Sequence, residues 1–254
     1  MNIYIIGAGN MGKPIAKTLA AKYRVYVCDR NPDKARIAGV IFDAGFKNLD
    51  KADYVIVAVK PQDIPALAND IGKKINSSAI LVSIAAGVKI NKLQKLFGIK
   101  KVVRVMPNLG LLVGQGIAAW RSMGLTKREK QKVKKLLNQL TSNFEVKKES
   151  DIDAVTAISG SGPAYFFYLA QALQKTAINL GLSLNMARKL VEKTFLAAAI
   201  LQRGKNYQEL IKQVTSKKGT TEAALKVLNK NHMDQIIEQA VKVAQKRAKE
   251  LSHA

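Results

Sequence analysis

The chain has 254 residues, a length that allows one or two domains with sizeable cores. Hydrophobic residues make up 48% of it and charged residues 24%, as in ordinary globular proteins. No apolar run approaches the roughly 18 residues of a membrane span, and the amino terminus reads as a strand and not as a signal peptide. We therefore expect a cytoplasmic protein with no membrane partner. Cys28 is the single cysteine and the histidines are His232 and His253, a set too sparse for a disulfide framework or a metal site.

The charge is strongly basic, because 42 Lys+Arg against 18 Asp+Glu give a formal net charge of +24. Such an excess favours any polyanion, including nucleic acid. The basic residues are scattered, however, and in residues 127–140 the apolar positions Val133, Leu136 and Leu137 keep helical spacing. This is the pattern of a solvated face on an amphipathic helix, so we expect no specific nucleic-acid partner.

The amino terminus carries a buried strand that runs into a glycine turn and then into an amphipathic run over residues 11–22. In a G-x-G-x-x-G turn the first glycine permits the tight bend, the second lets the backbone approach a pyrophosphate, and the third lets the helix pack closely. The phosphates then meet free N–H groups at the positive end of the helix. The turn predicts a dinucleotide-binding site formed by Gly7, Gly9, Asn10, Met11 and Gly12.

A second predicted strand, residues 24–28, ends at Asp29, which lies 29 − 9 = 20 residues beyond Gly9. A carboxylate at this distance holds the ribose hydroxyls of a dinucleotide. The charge of Asp29 would repel a 2′-phosphate and favours NADH, whereas Arg30 beside it would pair with that phosphate. We expect NADH to be preferred and NADPH to be tolerated.

Strands and helices then alternate, with further strands predicted over residues 52–59, 79–84 and 101–105. Short helices are predicted over residues 31–38, 65–74 and 91–97. Such alternation predicts a parallel sheet with right-handed crossovers, and ligands bind beyond the carboxyl ends of its strands. Five of these ends are expected to line one cleft: Gly7 to Gly12, Asp29, Ala58 to Pro61, Ser83 to Gly87 and Met106 to Asn108.

Beyond Ser150 the strand pattern stops and long helical segments follow, including 163–180, 184–203 and 232–251, with a break at Ser159–Gly162. The expected fold is α/β, a Rossmann-type parallel sheet domain over residues 1–150 followed by an all-α domain over residues 151–254. Residues 196–201 are apolar around the whole helix, which predicts a subunit interface. The alternative is the central helix of a compact monomeric bundle.

Two loops in the second half of the chain carry hydroxyl side chains and glycine just before predicted helix starts. They are residues 159–165 and residues 214–221. Backbone N–H groups at such starts would hold a carboxylate. Composition alone favours the simpler interpretation, in which these hydroxyls are helix caps and these glycines are turns.

Taken together, six segments resemble pyrroline-5-carboxylate reductase in order and spacing, and the resemblance covers nearly the whole chain. The Ser-Gly-Ser-Gly-Pro-Ala-Tyr segment is highly specific. The segments are Gly7 to Gly12, Ala58 to Gln62, Ser83 to Val88, Arg104 to Asn108, Ser159 to Tyr165 and Val214 to Thr221. The family reduces L-1-pyrroline-5-carboxylate to L-proline with NADPH or NADH, and its helical domains interleave into homodimers or higher homo-oligomers.

The resemblance implies the remaining site residues. Near the inner half of the cofactor it places Ala58, Val59, Lys60, Pro61, Ala85, Ala86, Gly87, Pro107 and Asn108. Around the imine substrate it places Ser161, Ser216, Gly219, Thr220 and Thr221. Thr221 matches the threonine whose hydroxyl lies near the imine nitrogen and is the candidate catalytic residue. Hydride goes to the imine carbon and the nitrogen takes a proton from solvent, so no strongly shifted histidine or lysine is required.

The chain departs from the family pattern at two places, and three other functions are alternatives to the reductase. Lys217-Lys218 stands where the family has Pro-Gly, and Leu109-Gly110 stands where it has Thr-Pro. The other functions are a reductase of another cyclic imine, a 3-hydroxyacid-type dehydrogenase, and a non-enzymatic basic protein that binds nucleotides or nucleic acid. The dehydrogenase needs a catalytic lysine in the helix after Pro163, where Lys175 lies a dozen residues in, which argues against it.

Overall fold

The computed structural model describes residues 1–253, with side chains described through residue 251. The chain divides into two compact units. The first unit comprises residues 1–161 and the end of the last helix from residue 244, and the second unit comprises residues 162–243. These units are groups of mutually contacting residues, and the domain boundary predicted at residue 150 stays a prediction.

The first unit is built on one sheet. Its eight strands within the described residues are β1 Asn2–Ile6, β2 Arg24–Cys28, β3 Ile41–Phe42, β4 Tyr54–Val57, β5 Ile80–Ser83, β6 Val102–Pro107, β7 Ile117–Met123 and β8 Ser142–Glu145. Their order across the sheet is β3-β2-β1-β4-β5-β6-β7-β8. The predicted α/β class is confirmed, and the five predicted strand ends lie on one edge, because β2, β1, β4, β5 and β6 are parallel neighbours.

Helices cover both faces of this sheet: α1 Gly12–Ala20, α2 Pro32–Ala35, α3 Ile64–Ile71, α4 Ile90–Phe97, α5 Lys127–Leu137 and α6 Asp151–Val155. Alternate residues of β1 serve opposite faces. Ile3 and Ile5 pack in a core that includes Ile15 of α1, whereas Tyr4 and Ile6 pack in a second core with Ile64 of α3. This period-two alternation is what a strand buried on both sides requires.

The alternation predicted parallel strands through residues 101–105, and β7, which follows them, runs antiparallel to β6. A short 3₁₀ turn, Leu109–Val113, joins β6 to β7, whereas a parallel pair needs a crossover of about a dozen residues or more. One prediction about the sheet domain is wrong. The helix predicted over residues 31–38 is a single turn, α2, because Arg36 is already extended at ψ 92°.

The second unit is helical and contains α7 Gly162–Asn179, α8 Leu184–Leu201, α9 Tyr207–Gln213, α10 Thr220–Lys230 and the first part of α11 Met233–His253. Gly181 and Gly204 follow α7 and α8 in the left-handed conformation that commonly ends helices, with φ of +90° and +68°. Ser183 caps α8 by accepting a hydrogen bond from the N–H of Met186 at 3.4 Å.

The predicted break at residues 159–162 is wrong in form. Residues Thr156–Gly160 make a π-helical turn that continues directly from α6. At its end the N–H of Ser161 donates to the carbonyl of Thr156 at 2.9 Å. Single π turns inside helices occur frequently at functional sites.

The helical unit leaves its apolar side chains uncovered within one protomer. Among the described residues, the buried positions of α7 and α8 are Gly162 and Ala187. Tyr168 is 75% exposed and Leu196 is 54% exposed. Apolar surface of this extent marks an interaction face, so the alternative of a compact monomeric bundle around residues 196–201 does not fit.

Candidate active site

The first glycine of the turn is fixed by its neighbours. Gly7 follows β1 with φ +98°, and its N–H donates to the carbonyl of Cys28 at 2.8 Å. A Cβ at Gly7 would lie 2.8 Å from the carbonyl oxygen of Ala58. Both the backbone angle and the space therefore exclude any side chain.

The other two glycines differ in what requires them. A Cβ at Gly12, the first residue of α1, would overlap the carbonyl oxygen of Gly7, so the helix starts directly on the turn. A Cβ at Gly9 would meet no protein atom within 4 Å. Protein packing does not account for glycine at position 9, whereas close approach of a pyrophosphate does. Asn10 is exposed and Met11 is half-buried between them.

Asp29 lies beside the turn, as the spacing predicted. Its Oδ2 accepts a hydrogen bond from the N–H of Ala8 at 2.6 Å, and its Oδ1 accepts one from the N–H of Asn31 at 2.8 Å. The carboxylate therefore fixes the glycine turn. It also lies beyond β2, where the sequence predicts a carboxylate that holds the ribose hydroxyls. Arg30 is exposed, and its Nη1 lies 3.2 Å from Oδ1 of Asp63.

The segment after β4 adjoins the glycine turn. The N–H of Ala58 donates to the carbonyl of Ile6 at 2.8 Å, so Ala58 continues the ladder between β1 and β4. Val59 and Pro61 are half-buried, and Lys60 is exposed. The structure thus brings the first two predicted cofactor segments together.

The loop after β5 is held at both ends. The N–H of Ala85 lies 3.3 Å from Oγ of Ser83, and Ala86 leads to Gly87, which is buried with φ +74°. The N–H of Ile90, at the start of α4, donates to Oε1 of Glu149 at 2.8 Å.

The carboxyl end of β6 is tied to the π turn. Pro107 is buried at the end of the strand, and Nδ2 of Asn108 donates to Oγ of Ser159 at 3.2 Å. Oδ1 of Asn108 accepts a hydrogen bond from the N–H of Ile117 at 3.1 Å. Ser161 is half-buried at the end of this turn. The last predicted cofactor segment and the Ser-Gly-Ser-Gly segment therefore form one connected structure.

A buried charged triad below these residues was missed by the sequence analysis. Arg104 of β6 is 2% exposed, with its Nη2 at 2.8 Å from Asp153 and its Nη1 at 3.2 Å from Glu149. The triad joins β6 to α6, and through Ile90 it also reaches α4. The available signal was a charged residue inside the apolar run Val-Val-Arg-Val, because a buried arginine requires carboxylate partners.

The departure at Leu109-Gly110 has a local explanation. A Cβ at Gly110 would lie 2.8 Å from the carbonyl oxygen of Gln115. The N–H of Gln115 in turn donates to the carbonyl of Gly110 at 2.9 Å. Leu109-Gly110 therefore allows a tight 3₁₀ turn between β6 and β7 that a larger residue at position 110 would obstruct.

The candidate substrate loop lies in the second unit. Its Gly219 N–H donates to the carbonyl of Ser216 at 3.0 Å, and α10 begins at Thr220. Thr221 is half-buried in the first turn of this helix. The leading N–H groups of a helix have no partners within the helix, so this start is suited to a carboxylate.

The departure at Lys217-Lys218 includes a backbone position that favours glycine. Lys218 adopts the left-handed conformation with φ +61° at the position where the family pattern has glycine. Its N–H donates to Oε2 of Glu222, whose Oε1 pairs with Lys226 at 3.0 Å. The Lys226 ammonium lowers the pKa of Glu222, and the Lys218 N–H adds to that effect.

Other chemistries find little support in the described part of the chain. It contains no cluster of three or more His, Cys, Asp or Glu residues that could hold a metal ion, and none of its helices has the length and hydropathy to cross a bilayer. Burial raises the pKa of the Cys28 thiol, which disfavours a nucleophilic thiolate. The side chain of His253 lies outside the described residues.

Comparisons with known proteins identify the family. A family model described as pyrroline-5-carboxylate reductase dimerisation matches residues 149–251, and one described as NADP oxidoreductase, coenzyme F420-dependent, matches residues 2–87. A pyrroline-5-carboxylate reductase from Pseudomonas aeruginosa is 34% identical, covering 98% of this chain and 96% of the relative. The enzyme of that name from Aquifex aeolicus is 34% identical, covering 99% and 97%.

Solved structures agree as well. A pyrroline carboxylate reductase from Plasmodium falciparum with NADP bound superposes with a TM-score of 0.88 at 27% identity, covering 99% of this chain and 98% of that one. A pyrroline-5-carboxylate reductase from Coxiella burnetii gives 0.88 at 33% identity with the same coverage. With a third of its residues shared over nearly its full length, this chain belongs to the pyrroline-5-carboxylate reductase family.

Proposed function

We propose that this protein reduces L-1-pyrroline-5-carboxylate to L-proline with a reduced nicotinamide cofactor. The observation that carries the proposal is that its relatives, at about a third identity, match the chain from the glycine turn through the loop before α10. A match to the dinucleotide half alone would leave the substrate open, because many chemistries share that fold.

The geometry of the first unit supports the proposed cofactor residues. N–H groups of the glycine turn and the start of α1 would hold the pyrophosphate, and Asp29 would hold the ribose hydroxyls. The loops at Ala58–Pro61, Ala85–Gly87 and Pro107–Asn108 lie on the same sheet edge, where they would surround the nicotinamide. When bound, the cofactor supplies the hydride.

The substrate residues belong to the loop before α10. The substrate carboxylate is held by the backbone N–H of Thr220 at the start of α10, next to Gly219, with Ser161 and Ser216 as further polar partners. The Thr221 hydroxyl orients the imine nitrogen, which takes its proton from solvent. Orientation of the imine carbon accounts for most of the acceleration.

We propose NADH as the preferred cofactor, with NADPH tolerated. The carboxylate of Asp29 would lie against a 2′-phosphate, and like charges at close range disfavour binding. Arg30 already pairs with Asp63 at 3.2 Å, so its charge is partly compensated.

We further propose a homodimer formed through the helical unit. The exposed apolar side chains of α7 and α8, such as Tyr168 and Leu196, need cover that one protomer does not provide. Light scattering on the purified protein should give 2 × 27.7 = 55.4 kDa or a multiple of it. A mass of one protomer would refute this assembly.

Steady-state turnover tests the proposed reaction. Purified protein is mixed with pyrroline-5-carboxylate and NADH or NADPH, and cofactor oxidation is followed by absorbance. We expect oxidation that depends on the imine, and faster turnover than with 1-piperideine-2-carboxylate or a 3-hydroxyacid plus oxidised cofactor. No turnover with either reduced cofactor would overturn the proposal, and faster piperideine reduction would change the substrate.

A further inference from the structure

The last helix ends against the loop that follows β5. A Cβ added at Gly87 would lie 2.6 Å from Cβ of Leu251 and 2.9 Å from its carbonyl carbon. The contact therefore involves the backbone of the helix end, which approaches the Cα of Gly87 directly. Position 87 has no room for a side chain, and its φ of +74° independently favours glycine.

The end of the helix belongs to the first unit. Residues from 244 onward group with the sheet, although α11 begins at Met233 in the second unit. Ala248, one turn before Leu251, is 5% exposed and gives this face a small side chain. The approach to Gly87 itself involves several atoms of Leu251, namely its Cβ, carbonyl carbon and carbonyl oxygen.

The two ends of this loop are held by other contacts, whereas its centre is covered by Leu251. Ser83 closes the ladder of β5 before the loop, and the N–H of Ile90 is held by Glu149 after it. Gly87 lies between these two fixed points in a left-handed conformation, and Leu251 covers it. A loop held in advance in its binding conformation avoids the ordering cost on association.

We propose that the carboxyl-terminal end of α11, through Leu251, is a positioning element for the nicotinamide half of the cofactor. It fixes Gly87 and the neighbouring Ala85 and Ala86, which lie on the nicotinamide side of the sheet edge. Leu251 is a positioning residue and touches the loop, not the reacting atoms. The inference rests on the proposed function, since it takes that loop as a cofactor segment.

Binding of two ligands to a shortened chain tests this role. The chain is ended at Lys249, and calorimetric titration measures the Kd of NADH and of ADP-ribose, which lacks the nicotinamide. We expect the Kd of NADH to rise roughly three- to tenfold, the range for reordering one or two groups on binding. The Kd of ADP-ribose should stay unchanged, because its contacts lie at the glycine turn and Asp29.

A matched control separates the contact from the lost ion pair. The shortened chain also loses Glu250, whose Oε2 lies 3.0 Å from Nη1 of Arg247 on the exposed helix surface. Glu250→Ala in the full chain removes that pair alone and should bind NADH like the wild type. Equal NADH binding by the shortened and full chains would overturn the proposal, as would equal weakening of NADH and ADP-ribose binding.

Substitution of the loop itself gives an independent test. Gly87→Ala adds both backbone strain and the clash with Leu251, whereas Gly45→Ala adds strain alone, since Gly45 has φ +79° and no atom within 4 Å. Gly87→Ala should weaken NADH binding more than Gly45→Ala in the full chain, and part of that loss should be recovered when the chain ends at Lys249. No recovery would contradict the contact. If the wild type binds neither NADH nor NADPH, the proposed function fails instead.

Discussion

Replacing Arg104 with methionine removes the cation of the buried triad and leaves both carboxylates in place. The guanidinium is 2% exposed and joins Asp153, whose side chain is 7% exposed, to Glu149, whose side chain is 27% exposed. Methionine keeps an unbranched apolar side chain and has no charge, so the change tests mainly the charge and the hydrogen bonds of the guanidinium.

The size of the effect follows from these exposures. Removing one partner of a buried ion pair costs about 3–5 kcal/mol, because the remaining charge stays in a poorly solvated site. The Glu149 side chain is 27% exposed and retains the N–H of Ile90, whereas the Asp153 side chain is 7% exposed, so the larger share of the cost falls on Asp153. We expect the free energy of unfolding to fall by about 3 kcal/mol, the lower end of that range.

Urea unfolding followed by the fluorescence of Trp120 measures this change. Trp120 is the single tryptophan, is 2% exposed, and pairs with Val105 across β6 and β7, next to the triad. Protomer concentration is held equal, because subunit association contributes to stability. The control is Arg188→Met, which breaks an exposed pair with Glu192 and should change stability by less than about 0.5 kcal/mol.

The reasoning would be refuted if Arg104→Met lowered stability no more than Arg188→Met. Adding Asp153→Asn to Arg104→Met should recover part of the loss, because the buried negative charge is then removed. If the loss of unfolding free energy in the double variant equals the sum of the losses in Arg104→Met and Asp153→Asn, the loss arises from packing and not from the buried charge.

Three further substitutions probe the site and the fold. Asp29→Ser should raise the ratio of kcat/KM for NADPH over NADH roughly tenfold, about 1.4 kcal/mol of relieved repulsion, whereas Asp33→Ser should not. Lys218→Gly should raise the free energy of unfolding by up to about 1 kcal/mol, since glycine adopts φ +61° without strain. Glu129→Gln should make the free energy of unfolding less dependent on pH in acid. The Lys101 ammonium lowers the pKa of Glu129 from 4.5 to about 2, so the stabilisation by the Glu129 carboxylate is present above pH 4.5 and disappears as pH falls towards 2.

Each of these expectations has a contrary result. An unchanged cofactor ratio in Asp29→Ser would remove Asp29 from cofactor selection. A less stable Lys218→Gly protein in urea unfolding would mean that the lysine side chain stabilises the loop. Acid unfolding of Glu129→Gln that parallels the wild type between pH 4.5 and 2 would contradict the role of the Lys101 pair.

Local patterns predicted much of the cofactor side. The glycine turn and the position of Asp29 beside it depend on short sequence patterns, and the structure contains both. The parallel direction of β2, β1, β4, β5 and β6 follows from helical crossovers, which appear as alternating periodicity. The direction of β7 was missed because no periodicity distinguishes a 3₁₀ turn at Leu109–Val113 from a loop before a crossover.

Contacts between distant residues were beyond such patterns. Arg104 and Asp153 are 153 − 104 = 49 residues apart, and Gly87 and Leu251 are 251 − 87 = 164 apart. An arginine in an apolar strand indicates that some carboxylate is near, but only the packing of α6 on the sheet selects which one. Likewise, Gly87 was predicted as a cofactor residue. The structure adds a second requirement for glycine at this position, because the end of α11 packs against it at Leu251.

Transfer of an isotopic label tests the central claim most directly. The protein is incubated with pyrroline-5-carboxylate and NADH that carries deuterium at C4 of the nicotinamide, and the product is analysed by mass spectrometry. We predict proline that carries a single deuterium on the former imine carbon, because the hydride passes directly to that atom. Absence of proline, or proline without deuterium when both C4 hydrogens of the NADH are labelled, would contradict the account.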